Sequence, residues 1–341
     1  MKPPITARLA PALLALLACS PDAGPQSAAV TPPPQAAPAG PSPSSAPAPR
    51  DQATQAAPSP AQDDRSQKTS TPVVDLALLE GYPWLNDGAR PHPLPAAHLS
   101  HRFAPPPGFT RVDLPAGSFG AFLRDLPLAA EGTPVVSFRG ATILSPGHPN
   151  LAAVVAIDIG DADLQQCADS VIRLHAEWRF ARGHRDHRYR GASGLDLPLA
   201  RYLGGERLVF KDGDLSWQDR GKPRRPEHSA LRDYLDGVFA WANTGSLANQ
   251  AKKIARADLR PGDFFVLPGG PGHAVLILDV ATGPEGQLAL LLGQGFMPAQ
   301  SFHVLRPAGA PDPWFRVAPA DTAVATPFWD PFPWSSLRRL E

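Results

Sequence analysis

The chain has 341 residues, no net formal charge, 43 prolines and two cysteines. A neutral chain without a basic run is a poor nucleic-acid binder, so no nucleic-acid partner is expected. Two cysteines exclude a metal centre built on several thiolates, and neither a metal nor a cofactor is expected.

Lys2 and Arg8 precede a short apolar run, residues 9–18, broken only by Pro11. Such a run is too short to span a bilayer but suits the core of a signal peptide. It ends in Leu16-Leu17-Ala18-Cys19, which resembles the lipobox read by bacterial lipoprotein signal peptidase. That four-residue resemblance implies a signal peptide over residues 1–18 and acylation of Cys19, and with it an exported domain held to a membrane by lipid. Ser20 follows the cysteine where an aspartate would favour retention at the inner membrane. In a Gram-negative host this points to the periplasmic side of the outer membrane. Residues 19–72 are dominated by Pro, Ala, Ser, Gln and Thr, with three prolines in a row at 32–34. This segment cannot bury enough apolar surface to offset its ordering entropy, and it is expected to be a disordered tether.

Residues 73–341 are expected to form one globular domain. Tyr82-Pro83-Trp84-Leu85 opens it, and Phe119, Phe122, Leu123 and Leu126 at helical spacing predict a short helix over 119–126. Strands are expected at 135–138 and 152–159. The strongest helix runs over 164–182, with Asp163 as N-cap and Gln166 completing a capping box. A second helix is expected at 231–242, and strands at 264–267, 273–280, 288–292 and 301–305. The C-terminal stretch, rich in Pro and Trp, is expected to wrap the surface. A helix followed by an antiparallel run of strands is an α+β layout.

With Cys19 acylated, Cys167 is left alone, near the first turn of its helix. There the helix dipole favours a thiolate, although free cysteine is also a common core residue. Pro261-Gly262-Asp263 leads into one strand, and His273 starts the next behind the loop Gly269-Gly270-Pro271-Gly272. A turn near Pro284 sets Gln294 opposite His273, where an amide can orient an imidazole. Gln166 is a candidate oxyanion donor beside the thiol. Arg173 and Glu177, spaced i,i+4, read as an ion pair on the helix surface.

The stretch from Pro261 to Ile277 resembles the surroundings of the catalytic histidine in papain-like cell-wall peptidases and amidohydrolases. The resemblance implies a papain-like fold, its cysteine helix packed on an antiparallel sheet, with residues 183–258 inserted. It implies Cys167 as nucleophile, His273 as base and Gln294 as orienting residue, with an amide bond as substrate, murein stem peptide among the candidates. The alternative is a non-catalytic lipoprotein that binds peptidoglycan or another envelope ligand. In that reading Trp84, Trp217, Trp241, Trp314, Trp329 and Trp334 are candidates to line a groove. Gln165-Gln166-Cys167-Ala168-Asp169, Pro271-Gly272-His273-Ala274-Val275 and Met297-Pro298-Ala299-Gln300-Ser301 also resemble the hallmarks of domain-of-unknown-function family 4846. That resemblance spans the folded region and implies no particular activity.

Overall fold

Runs of apolar residues at 264–267, 273–282 and 288–294 are buried on both faces, and antiparallel pairing between them organises the domain. The computed structural model describes residues 80–341 apart from 87 and 89. The expected signal peptide, the lipid site at Cys19 and the tether lie outside the described residues.

Nine strands form the central sheet. In chain order they are β1 Thr110–Arg111, β2 Leu151–Val154, β3 Lys252–Lys253, β4 Phe264–Leu267 and β5 His273–Thr282. They continue as β6 Leu288–Gln294, β7 His303–Leu305, β8 Trp314–Val317 and β9 Leu337–Arg339. The order across the sheet is β3-β9-β4-β5-β6-β7-β2, with β1 also against β5 and β8 also against β6. The expected turn at Pro284 joins β5 to β6, whose register is Leu276↔Gly293 and Ile277↔Leu292 up to an irregularity before Asp279. The C-terminal stretch does more than wrap the surface: β9 inserts between β3 and β4 and pairs with both.

Four helices matter here: α1 Phe119–Arg124, α2 Cys167–Ala181, α3 His228–Phe239 and α4 Thr244–Gln250. Helix α2 is the longest, and every residue from Cys167 to Glu177 is buried. It packs on the face of the sheet that carries Phe264, Ala274, Leu276 and Leu278. The opposite face carries Phe265, Val275, Ile277, Leu290 and Leu292, and is covered by Phe332 and Leu337. Within the region expected as an insertion, hairpins Arg188–Arg190/Asp196–Pro198 and Glu206–Lys211/Asp214–Asp219 precede α3.

The start of α2 corrects the sequence expectation. Gln166, not Asp163, is the N-cap, and its capping-box partner is Asp169, so Cys167 is the first helical residue. Asp163 instead accepts from the Gln166 side chain at 3.0 Å and from the Ala299 amide at 2.7 Å. At the other end Gly183 takes φ +81. The Gly183 amide bonds to the Phe180 carbonyl and the His184 amide to the Arg179 carbonyl, a Schellman stop that needs a left-handed residue.

Arg173 and Glu177 also differ from the surface pair expected of them: both are fully buried. The Arg173 guanidinium donates to Glu177 at 2.7 Å, to Asp158 at 2.6 Å and to the Gln165 side chain at 2.9 Å. Asp158 also accepts from Arg232 at 2.9 Å, and His228 bonds Glu177 at 2.8 Å, so α3 is tied to α2 through charge. Burial alone would lift the Asp158 carboxyl. Arg173 and Arg232 overcome that and hold it well below the usual carboxylate range.

Removing one partner from a buried ion network leaves the others unpaired in a poorly solvated interior. Arg173→Met should therefore cost about 3 kcal/mol or more in urea unfolding. Arg316→Ala, which breaks an exposed pair with Asp312, should cost about 1 kcal/mol at most.

Candidate functional site

His273, Gln294 and His303 begin or end adjacent strands, and side-chain alternation puts all three on one face of the sheet. The His273 Nε2 and Gln294 Oε1 atoms are 2.8 Å apart. Register from Leu276↔Gly293 sets Gln294 level with Val275, one pair further along than expected, so the contact with His273 is diagonal. Gln294 and His303 face each other directly, with Gln294 Nε2 and His303 Nε2 3.5 Å apart. His303 Nδ1 lies 3.0 Å from the Ser301 carbonyl.

The partners fix the protons. A carbonyl only accepts, so His303 carries its proton on Nδ1 and offers a bare Nε2 to the Gln294 amide N–H. The amide oxygen then accepts from His273 Nε2–H, which leaves His273 Nδ1 bare. That atom is buried and has no hydrogen-bond partner among the described residues. The His273 ring is enclosed by Phe296 and Trp329, each 4.8 Å away between centroids, and by Phe332 at 6.1 Å. Burial lowers both imidazoles to about 4, opposed at His273 by the Gln294 hydrogen bond and at His303 by the Ser301 carbonyl. Both rings are neutral at physiological pH.

Cys167 belongs to the other face. Its Sγ is 3.9 Å from the Gly272 carbonyl oxygen, and the Ala274 amide also reaches it. Ala274 packs in the cluster under α2, whereas the His273 ring meets Trp329 and Phe332 on the far side. The sheet thus brings His273 and Gln294 together and separates both side chains from Cys167. Burial pushes the Cys167 thiol up to about 11, against the backbone amides of Ala274 and Ala168. The favourable helix N-terminus is present, but desolvation outweighs it.

Cys167 lines a cleft of about 370 Å³ between the start of α2, the start of α4 and the Gly269–Gly272 loop. Gln166 borders the same cleft, with its side-chain amide turned to Asp163. The approach here is close: a Cβ on Gly295 would fall 2.3 Å from Ser170 Oγ and 2.9 Å from the Gln166 carbonyl oxygen. Of the tryptophans expected to line a groove, Trp84 and Trp314 are core residues. Trp217 and Trp241 lean on the α2-side cluster, and Trp329 and Trp334 on the opposite one. Trp178, which the sequence reading did not single out, is half-buried beside a larger cleft. Among the described residues no group of three or more His, Cys, Asp or Glu side chains could hold a metal ion. Among them, too, no helix is long and apolar enough to cross a membrane.

A family model described as domain of unknown function 4846 matches residues 99–339. No curated protein and no solved structure matches the chain.

A histidine neutral in the fold and ionisable when unfolded favours the native state above its ordinary value of 6.5, and that contribution fades as pH falls towards 4. The thermal midpoint should therefore drop progressively between about pH 6.5 and pH 4. In the native state, ring-proton NMR of His273 and His303 should show neutral imidazoles down to about pH 5. Titration of either ring near 6.5 would contradict this account.

Proposed function

The chain belongs to the family described as domain of unknown function 4846, and from that premise we propose a non-catalytic binding domain of the cell envelope, anchored by lipid on Cys19. The observation that carries this reading is the placement of Cys167 and His273 on opposite faces of the sheet. A cysteine hydrolase needs a thiolate and an imidazole within hydrogen-bond reach, the second activating the first. Here the thiol is raised by burial and hydrogen-bonds to backbone, while the imidazole is spent on an amide in an aromatic enclosure.

The scaffold reads as papain-like, with a cysteine opening a helix that lies on an antiparallel sheet. On that reading the enzyme-like frame is kept and the dyad is out of reach. The envelope setting follows from the lipobox and the proline-rich tether, which give the domain reach towards murein. A second reading keeps Cys167, His273 and Gln294 as a catalytic set. Its support is the 2.8 Å His273–Gln294 contact and the position of Cys167 at the helix start; it lacks a base at the thiol.

Alkylation separates the two. Native protein should resist iodoacetamide at pH 6 and at pH 8, and Cys167 should react only after denaturation. Fast labelling at pH 6 that disappears in His273→Ala would favour the hydrolase instead. Sedimentation with purified murein sacculi should be the same for Cys167→Ala as for the parent.

The anchor has its own test. A clickable fatty acid fed to expressing cells should label the parent chain and leave Cys19→Ala unlabelled.

A further inference from the structure

A cleft lies away from Cys167, along the C-terminal half of α2. It has a volume of about 830 Å³ and is walled by His175, Arg179, His187, Arg188 and Lys252. A second cleft of about 490 Å³ adjoins it, shares Lys252, and is lined by Phe119, Trp178 and Arg260. Between them stands an aromatic ridge. The rings of Phe119 and Trp178 are 5.3 Å apart, and His175 touches both, at 5.5 and 5.6 Å.

The polar side of this groove contains groups that the fold leaves unsatisfied. His187 Nε2 lies 3.0 Å from the Ala176 carbonyl, so it carries the proton and leaves Nδ1 bare. His175 uses Nδ1 against the Tyr189 hydroxyl at 3.0 Å, and its Nε2 has no partner among the described residues. Both side chains are more than nine-tenths buried. Unsatisfied buried nitrogens are rare in folded proteins and ask for an explanation. At the rim, Arg188 and Lys252 are two-thirds exposed, and their nearest carboxylates stand 3.9 and 3.7 Å away. Across both clefts five Arg and Lys side chains meet three lining carboxylates; Arg179 and Arg339 are closely paired, whereas Arg188 and Lys252 hold their partners loosely.

We propose that this groove binds a carboxylate-bearing oligosaccharide, with a sugar face on the Phe119–Trp178 ridge and its carboxylate at Arg188 and Lys252. A pyranose is apolar on its faces and polar around its rim, and this groove pairs an aromatic surface with donors and acceptors in the same way. A peptide adding to the sheet edge is disfavoured: the neighbouring edge strand β3 is two residues long, and both are exposed lysines. The inference rests on the binding reading above and names its site and ligand class.

The probe is a tetrasaccharide of alternating N-acetylglucosamine and N-acetylmuramic acid, titrated calorimetrically into the full mature chain in detergent. Chitotetraose serves as the carboxylate-free control. The muramic tetrasaccharide should bind at least tenfold more tightly than chitotetraose. R188E combined with K252E should erase that difference. Equal affinity for the two sugars, or no effect of the charge reversals, would overturn the proposal, as would binding confined to isolated stem peptide. If sacculi stripped of stem peptide, whose lactyl carboxylates are free, sediment the parent and the R188E/K252E variant equally, this site fails and the envelope-binding reading stands. If sacculi bind neither, both fall.

Discussion

A guanidinium with no access to water sets the terms for the helical layer. Arg173 sits on the buried side of α2 with each of its three guanidinium nitrogens bonded, to Glu177, Gln165 and Asp158. A buried cation is tolerable only when paired and hydrogen-bonded, so these residues must arrive together. Asp158 follows β2, Gln165 precedes α2, and Glu177 reaches α3 through His228. Arg232 of α3 closes the circuit on Asp158 and continues it to Asp236 and Arg90. One charge therefore fixes where α2 lies, and the position of α2 fixes both the Cys167 cleft and the larger groove.

Much of the fold was legible in the sequence, because short apolar runs bounded by turn residues, such as 264–267, read as buried strands. The start of α2 was not, since capping patterns coexist three residues apart: Asp163 with Gln166, and Gln166 with Asp169. Long-range chemistry decided between them, because Gln165 is held by Arg173 and the Asp158 carbonyl before the helix begins. Arg173 and Glu177 were misplaced for a related reason. An i,i+4 pair has the same spacing inside and outside, and the residues that bury it are Asp158 and Arg232, far along the chain. Trp178 was passed over because its indole belongs to the repeat of a buried helix, and only the fold leaves it half-buried beside a cleft.

The expected catalytic set illustrates the limits of register. Pairing arguments identify residues that share a face across strands, and they joined Gln294 to His273. They are silent about which face a helix will cover. A helix on one side meets Gly272 and Ala274, and one on the other meets His273. Both faces of these strands are apolar; α2 lies on the side of Ala274, Leu276 and Leu278, and the imidazole is left to the aromatic tail.

Strand β9 lies between β3 and β4, although some seventy residues separate it from β4 along the chain. Until Leu337–Arg339 is in place, β4 has one naked edge and β3 has no neighbour at all. Closure of this side of the sheet thus waits until residues 337–339 have followed β4. Loop closure over such a distance is slow compared with local pairing. A chain made from its N-terminus carries this side of the sheet unsealed for the whole interval between the appearance of β4 and that of β9.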